Sequence, residues 1–486
     1  MLKTIIAKEL LNNILNLRFM FSLVFCIILT FACIMILTHD YRQESVDYSI
    51  RINMQNELLS SYATEEHFWK MGRPQKPPER FRLLIVGIKD DPQKESAYDS
   101  PLPILFPPID FLFIVTIIMS LLAILFSYDA VTGERQSGTL RLVVANSVPR
   151  IKILLGKLIG GVASLLIPFV LSLMVAGLFV SIHPAIQWDG SAWVEFLLLA
   201  AASSMFITLF YILGLMVSTF SRYSATSILN CLFIWVLFIL IIPNVCPYIS
   251  AQLYRVPSIT EIHRQASEID RAAGEMCSKL TKEIVTQFRH DYGALFSRLE
   301  SIAPSMLRQR GIADQKKVKE LAAADPEFKA MVDAFGDEIQ NAWDERKRMK
   351  EVEWKLLDDF DRRTAFQTKL AKNLACISPL TDFMYFARDL TSTGLRSLDY
   401  FERSKNQHIR VLNSYIDRKY KNAIDEDPEV DNYSVLDVDD RPRFIFKEEP
   451  LKGKLNAALP YWGILVLFNV VFFAAAFAGF MRYDVR

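Results

Sequence analysis

Apolar residues gather in six long runs, and the fifth and sixth are separated by a long, highly charged stretch. A hydrocarbon core about 30 Å thick needs about 20 apolar residues of helix. Phe19–Leu37 meets that length without a charge, and five later runs follow, charged only at an outer end by Asp110 or Glu195. The pattern predicts spans at 18–38, 108–127, 158–181, 193–220, 226–245 and 459–481. An even number of spans puts both termini on one side. Lys3, Lys8, Arg18, Arg135, Arg141, Arg150, Lys152, Lys157, Arg222, Arg482 and Arg486 all fall on that side, while His183–Ser191 on the other has no lysine or arginine. Positive charge retained inside makes the terminal side cytoplasmic and leaves 39–107 and 246–458 extracytoplasmic. A cleaved signal peptide over the first run is disfavoured, because the run continues past Cys33 to Leu37 with no small-x-small site after it.

The polar segments have periods of their own. Residues 1–17 carry Leu2, Ile5, Ile6, Leu10, Leu11, Ile14 and Leu15 at mostly helical spacing. That describes an amphipathic helix lying in the interface; the alternative is an extension of the first span. Beyond the fifth span, Ser258 and Glu261 form a capping-box pattern. Ile262, Ala266, Ile269, Ala273, Met276 and Leu280 then repeat at helical spacing, and Phe328, Val332, Phe335, Ile339 and Trp343 do so on a second run, Glu327–Ala375. Pro304, Gly311 and Pro326 lie between the runs. The expected fold is therefore an all-α integral membrane protein whose large, mainly helical outer domain is a long antiparallel hairpin. Two further helices are expected over Ser378–Ala423, and a short strand at Arg443–Phe446. Folding the hairpin near residues 311–314 brings Cys376 level with Cys246. A disulfide there would pin its base, the alternative being free thiols.

Composition changes this picture little. The 486 residues are 51% hydrophobic with a net charge of +1, so nothing points to nucleic acid. Six cysteines are too few for a disulfide-built fold. Gly156-Lys157 and Gly453-Lys454 are each followed by leucine, so no phosphate-binding loop is present. The six histidines are scattered without ligand spacing. The chain is not expected to be an enzyme, nor to hold a cofactor or metal of its own. Polar groups in or beside the spans are Asp110 and Glu195 at outer ends and Asn230 and Asn469 deeper. The first two could face a pathway or simply meet water; the asparagines suit interhelical hydrogen bonds. No span has a central charge, which argues against ion coupling and leaves the energy source in another chain. Gly160, Gly161 and Pro168 mark the third span for close packing or bending.

The link 128–157 is longer than a turn needs. Gly133 and Gly138 bracket a polar knot, Thr139–Ala145 reads as a short amphipathic helix, and Asn146–Pro149 breaks it. Such an element can dock a cytoplasmic partner and pass motion to both attached spans, or it can be a solvated loop holding positive charge. Glu134, then Gly138-Thr139-Leu140, then Pro149-Arg150 resembles the first cytoplasmic loop of ABC transporter permeases of the ABC-2 type. The N-terminal helix resembles the family's opening amphipathic helix, and the stretch 76–90 and the closing 480–486 resemble segments of a subgroup with a large outer domain. The resemblance implies a permease subunit of an exporter in a prokaryotic cytoplasmic membrane. It would pair with a second copy or paralogue, and be driven by an ABC ATPase subunit that holds the ATP and Mg. It assigns contact with that ATPase to Glu134, Arg135, Gly138, Thr139, Leu140, Leu142, Val143 and Pro149. Membrane lipids and an extracytoplasmic partner protein complete the expected partners. The alternative is a machine that moves its outer domain to act on such a partner, with nothing transported.

Overall fold

The computed structural model describes residues 2–61, 74–87, 109–145, 149–183, 188–302, 318, 321–426 and 436–482. Among these the regular structure is helical, without a strand. In chain order the helices are α1 (Leu2–Ile14), α2 (Leu17–Ser61), α3 (Phe111–Gln136), α4 (Thr139–Ala145), α5 (Arg150–Ile182), α6 (Gly190–Phe220), α7 (Ser224–Leu253), α8 (Ile259–Ile302), α9 (Pro326–Ala375), α10 (Pro379–Leu390), α11 (Leu395–Glu426) and α12 (Leu451–Met481). Six of them, α2, α3, α5, α6, α7 and α12, are long and apolar enough to cross a membrane. α2 does not stop where its apolar run ends. Residues 38–61 contain no glycine or proline, and the helix continues through them to Ser61.

α6 is the centre of the bundle. Phe206, Ile207, Leu209, Phe210, Tyr211, Ile212, Leu213 and Leu215 are all buried, and together they lie on every side of the helix. A helix apolar all round belongs in such a place. α1 is a helix of its own, broken from α2 at Leu15–Asn16, and lies against α5. Glycine makes that approach feasible. A Cβ at Gly156 would come within 2.5 Å of Ile5, and one at Gly160 within 2.7 Å of Glu9. One turn further, Asn13 Nδ2 donates to Ser164 Oγ at 2.9 Å. Positions 156, 160 and 164 form one small-residue face that receives 5, 9 and 13 of α1. Gly161 serves a different neighbour, the ring of Tyr211 on α6.

The hairpin is α8 against α9. Phe288 meets Phe335 edge to face with ring centroids 5.3 Å apart, and Lys350 pairs with Asp270. At its base Ser250 Oγ donates to Gln367 O at 2.8 Å, while Gln367 Nε2 donates to Tyr254 O at 2.7 Å. Ser258 Oγ accepts from Glu261 N at 3.2 Å, but the Glu261 carboxylate turns to Arg264 and Gln265, so the capping box is half formed. Asp325 caps α9 by accepting from Glu327 N and Phe328 N. The turn expected around residues 303–317 lies outside the described residues.

Two expectations need correction. Arg443–Phe446 is not a strand: no neighbouring extended segment offers it a ladder among the described residues. Phe444 and Phe446 instead pack on Phe401 of α11, with centroids 6.0 and 5.3 Å away. Cys246 and Cys376 are free thiols. The hairpin register does bring them near each other, but Cys376 Sγ points back along its own helix and donates to Lys372 O at 3.3 Å.

α10 departs most from the sequence pattern, which placed it in the outer segment. Ser378 Oγ reaches Phe238 O in the middle of α7, and Phe383 stacks on Phe206, halfway along α6, at 4.8 Å. α9 thus descends along α7, and α10 climbs back along α6 and α12. Its buried Leu380, Phe383, Phe386, Ala387 and Leu390 explain the depth, and its brevity explains why no span-length apolar run announces it.

Candidate functional site

Beneath α4 the terminal-side ends of the spans meet in one charged hub. Lys157 on α5, 3% exposed, donates from Nζ to Glu9 Oε1 on α1 at 3.0 Å and pairs with Glu134 Oε1 on α3 at 2.8 Å. Lys8 adds a second, exposed cation to Glu134 at 3.6 Å. Tyr211 Oη of α6 donates to the Lys157 carbonyl at 3.2 Å. Buried charges persist where each is paired and hydrogen-bonded; here one ammonium joins three helices distant in sequence.

A second set of bonds ties α3 to its other neighbours. Arg18 of α2 donates to Asp129 Oδ2 at 3.1 Å and to Leu125 O at 3.1 Å. Ser218 Oγ of α6 accepts from Val131 N and Thr132 N, each at 3.1 Å. Ser227 Oγ of α7 donates to Tyr128 O at 2.7 Å. Arg135 Nη1 donates to Ser221 O at 2.8 Å, in the turn between α6 and α7. Arg150 Nη1 donates to Met481 O at 2.6 Å, which brings in α12.

α4 lies over this hub. Gly138 turns the chain into it at φ +76°, the left-handed region that suits glycine. Leu140 is fully buried against Val131, Ile153, Leu154, Leu215, Ala476 and Phe480. It is the anchor of α4 rather than part of a docking face. Glu134 and Arg135 are likewise engaged inward. Of the eight residues expected to meet an ATPase, Gly138, Thr139, Leu142 and Pro149 are exposed, Leu142 at 68%, with Val143 half-buried. Residues 146–148 of the expected breaker lie outside the described residues.

The polar residues expected in the spans go to separate places. Asp110 is buried, and its carboxylate accepts from Phe113 N at 2.8 Å and Val86 N at 3.2 Å. It caps α3 and pins the segment 81–86, whose Phe81, Leu83, Leu84 and Ile85 are buried among the far-side span ends. Glu195 accepts from Lys454 Nζ at 2.9 Å, both buried, and Lys454 also reaches Glu448 at 3.2 Å. Arg80 continues this clasp to Asp189 at 2.9 Å and Glu448 at 3.1 Å. Neither acid lines a crevice described in the molecule. Asn469 bonds mainly within its own helix, to Leu465 O at 2.8 Å, and only at 3.5 Å to Met205 O of α6. Asn230 lines a surface crevice between α6 and α7.

Six span-length apolar helices, an amphipathic helix laid on the third, and a short helix held over a charged hub between the second and third make up the membrane part of the described residues. The model of the ABC-2 family transporter proteins matches residues 3–485. The chain belongs to that family. No curated protein matches it. As an ABC-2 family permease it is an integral membrane component rather than a catalytic subunit, of a kind that works with ABC ATPase subunits, generally as dimers.

Sequence reasoning missed Lys157, Glu9, Arg18, Asp129 and Lys454. A signal did exist for the first two. Lys157 sits at the border of an apolar run, between Gly156 and Gly160, and Glu9 is the single acid of α1. Positive-inside counting uses up such lysines as topological charge and hides their partners.

Proposed function

We propose that this ABC-2 family protein is the transmembrane permease subunit of an ATP-driven exporter in a prokaryotic cytoplasmic membrane. Its terminal side is cytoplasmic and its hairpin extracytoplasmic. A separate ATPase subunit, holding ATP and Mg, docks on the exposed face of α4, and a second permease copy or paralogue completes the complex. The observation that carries this reading is the division of α4. Leu140 anchors it to α3, α5, α6 and α12, while Thr139 and Leu142 face outward. A push on the outward face therefore reaches four spans through packed contacts rather than through a loose loop.

A second reading has one observation in its favour. α9 is continuous with the turn into α10, and α10 is seated between α6 and α12. Movement of those spans would swing the hairpin directly, which suits a machine acting on an extracytoplasmic partner without transport. Both readings share the ATPase.

The test is affinity purification of the full chain from its own membranes in mild detergent, with Leu142→Asp as the variant. A co-purifying ATPase chain that is lost from Leu142→Asp, with unchanged size-exclusion behaviour, supports the docking. Equal ATPase recovery from both would overturn it.

A further inference from the structure

At the terminal-side ends of α6 and α7 a crevice of about 600 Å³ opens on the surface. Its lining changes character with depth. Arg222 lies at the rim, in the turn between the helices, and Thr226 and Asn230 follow at intervals of four along α7. Residues four apart share one helix face, so α7 presents a polar ladder here. Asn230 lies six residues into that helix, about 9 Å at 1.5 Å per residue. Its surroundings are those of a lipid-facing span: Phe220, Leu229 and Phe233 are exposed at 56%, 68% and 68%.

Among the described residues the ladder has no partner. Among the described residues Arg222 makes no ion pair and Asn230 no side-chain hydrogen bond. An amide facing hydrocarbon without a partner is costly, and an asparagine at that depth points to something that bonds it. The order of groups describes the occupant. A fixed cation stands at the rim beside Phe220, a hydroxyl and an amide lie below it, and the Phe233 ring lies deeper still. That is the order of an anionic phospholipid: phosphate, then glycerol esters, then acyl chain.

We propose that this crevice binds one anionic phospholipid. Its phosphate lies on Arg222 beside Phe220, its ester carbonyls accept from Thr226 and Asn230, and a chain runs past Phe233. A second copy of the chain fits less well, because a two-fold contact centred here would bring Arg222 against its own image. The site adjoins the hub, since the neighbouring Ser221 carbonyl accepts from Arg135. The headgroup would therefore rest on the same turn that holds α3 to α6. The proposal does not depend on what the complex exports.

The experiment uses the purified full chain in neutral detergent, with mixed micelles containing phosphatidylglycerol or phosphatidylcholine, read by thermal unfolding and by native mass spectrometry. The expected result is one retained phosphatidylglycerol per chain and a higher unfolding midpoint, neither seen with phosphatidylcholine. Arg222→Gln should raise the half-saturating phosphatidylglycerol concentration about tenfold, the scale of one charged hydrogen bond, and remove the headgroup preference. Asn230→Leu should weaken retention of the whole lipid while sparing that preference. Equal retention of both lipids, or a preference that survives Arg222→Gln, overturns the proposal. So does an equal shift with inorganic phosphate that displaces the lipid, which would make this a free-anion site. Disulfide-linked dimers of Asn230→Cys in native membranes, absent from the parent chain, would show that a second copy covers the face and would also overturn it.

Discussion

The hub under α4 and the hairpin of α8 and α9 both abound in charge, but they spend it differently. In the hub, pairs join residues far apart in the chain: Lys157 to Glu9, Arg18 to Asp129, Arg150 to the end of α12. On the hairpin most pairs are three or four residues apart on one helix, such as Arg264 with Glu261 and Glu268, or Arg362 with Asp358, and they face water. Local exposed pairs add little stability and no tertiary information, whereas a buried pair between helices fixes their register. The hairpin takes its tertiary information from aromatic packing instead, in Phe288, Phe296, Phe328 and Phe335. One region is held by directional polar bonds that can rearrange in steps. The other is a pair of long helices, one of them kinked at Gly293, held by non-directional burial. On the proposed reading, a junction moved by an ATPase and an arm that follows it would draw on those two kinds of cohesion.

The contrast can be attacked residue by residue. Lys157→Met should be the most damaging change, because it leaves Glu9 and Glu134 without their buried cation. The expected loss is about 3–5 kcal/mol, read as a fall in the unfolding midpoint. Adding Glu9→Gln and Glu134→Gln should recover most of it. No recovery would mean that the lysine stem, not the charge, holds the hub. Phe335→Ala should cost a comparable amount, about 3–5 kcal/mol, but within the hairpin alone. Limited proteolysis should open α8 and α9 while ATPase co-purification persists; loss of both together would break the separation of arm and hub.

Smaller effects probe the clasp and the surface. The Asp189 carboxyl is held at about 2, chiefly by the Ala192 backbone N–H, with Ser191 and Arg80 adding to it. A carboxyl depressed on folding stabilises the native state above its ordinary value, near pH 4, and loses that contribution as pH falls towards 2. Asp189→Asn should therefore cost about 1 kcal/mol or less at pH 7, since the side chain is half exposed. The difference from the parent should begin to shrink as pH falls below about 4 and be gone only below about pH 2, where the carboxyl is protonated in the folded and the unfolded chain alike. Arg264→Ala, on the open face of α8, should leave the unfolding midpoint unchanged; a measurable fall would show that surface pairs brace the hairpin after all.

Much of this architecture was readable in the amino-acid order. Span-length apolar runs admit one solution in hydrocarbon, helices that satisfy their own backbone, so the six spans follow from the runs at 19–37 and its five successors. Helical spacing from Ile262 and from Phe328, with proline and glycine between, similarly demanded a hairpin, and its register brought Cys376 near Cys246. The position of α4 between Gly138 and Pro149 was also legible, because local breakers set it. Its orientation was not. Leu140 and Leu142 are equally apolar on paper, and only contact with α3, α5, α6 and α12 turned the first inward and the second out.

The same limit explains the remaining surprises. Which carboxylate meets Lys157, whether a thiol turns to its partner or back to its own helix, and whether a twelve-residue helix packs outside the bundle or halfway down α6 are set by contacts between residues more than a hundred positions apart. Periodicity is a property of neighbours along the chain, and it determined the elements of this protein, their order and their apolar faces. Pairing is a property of neighbours in space, where shape and the need to satisfy buried charge choose among several partners that the sequence leaves equivalent. Tertiary structure alone therefore decided where the hub is, and which face of α4 remains for another chain.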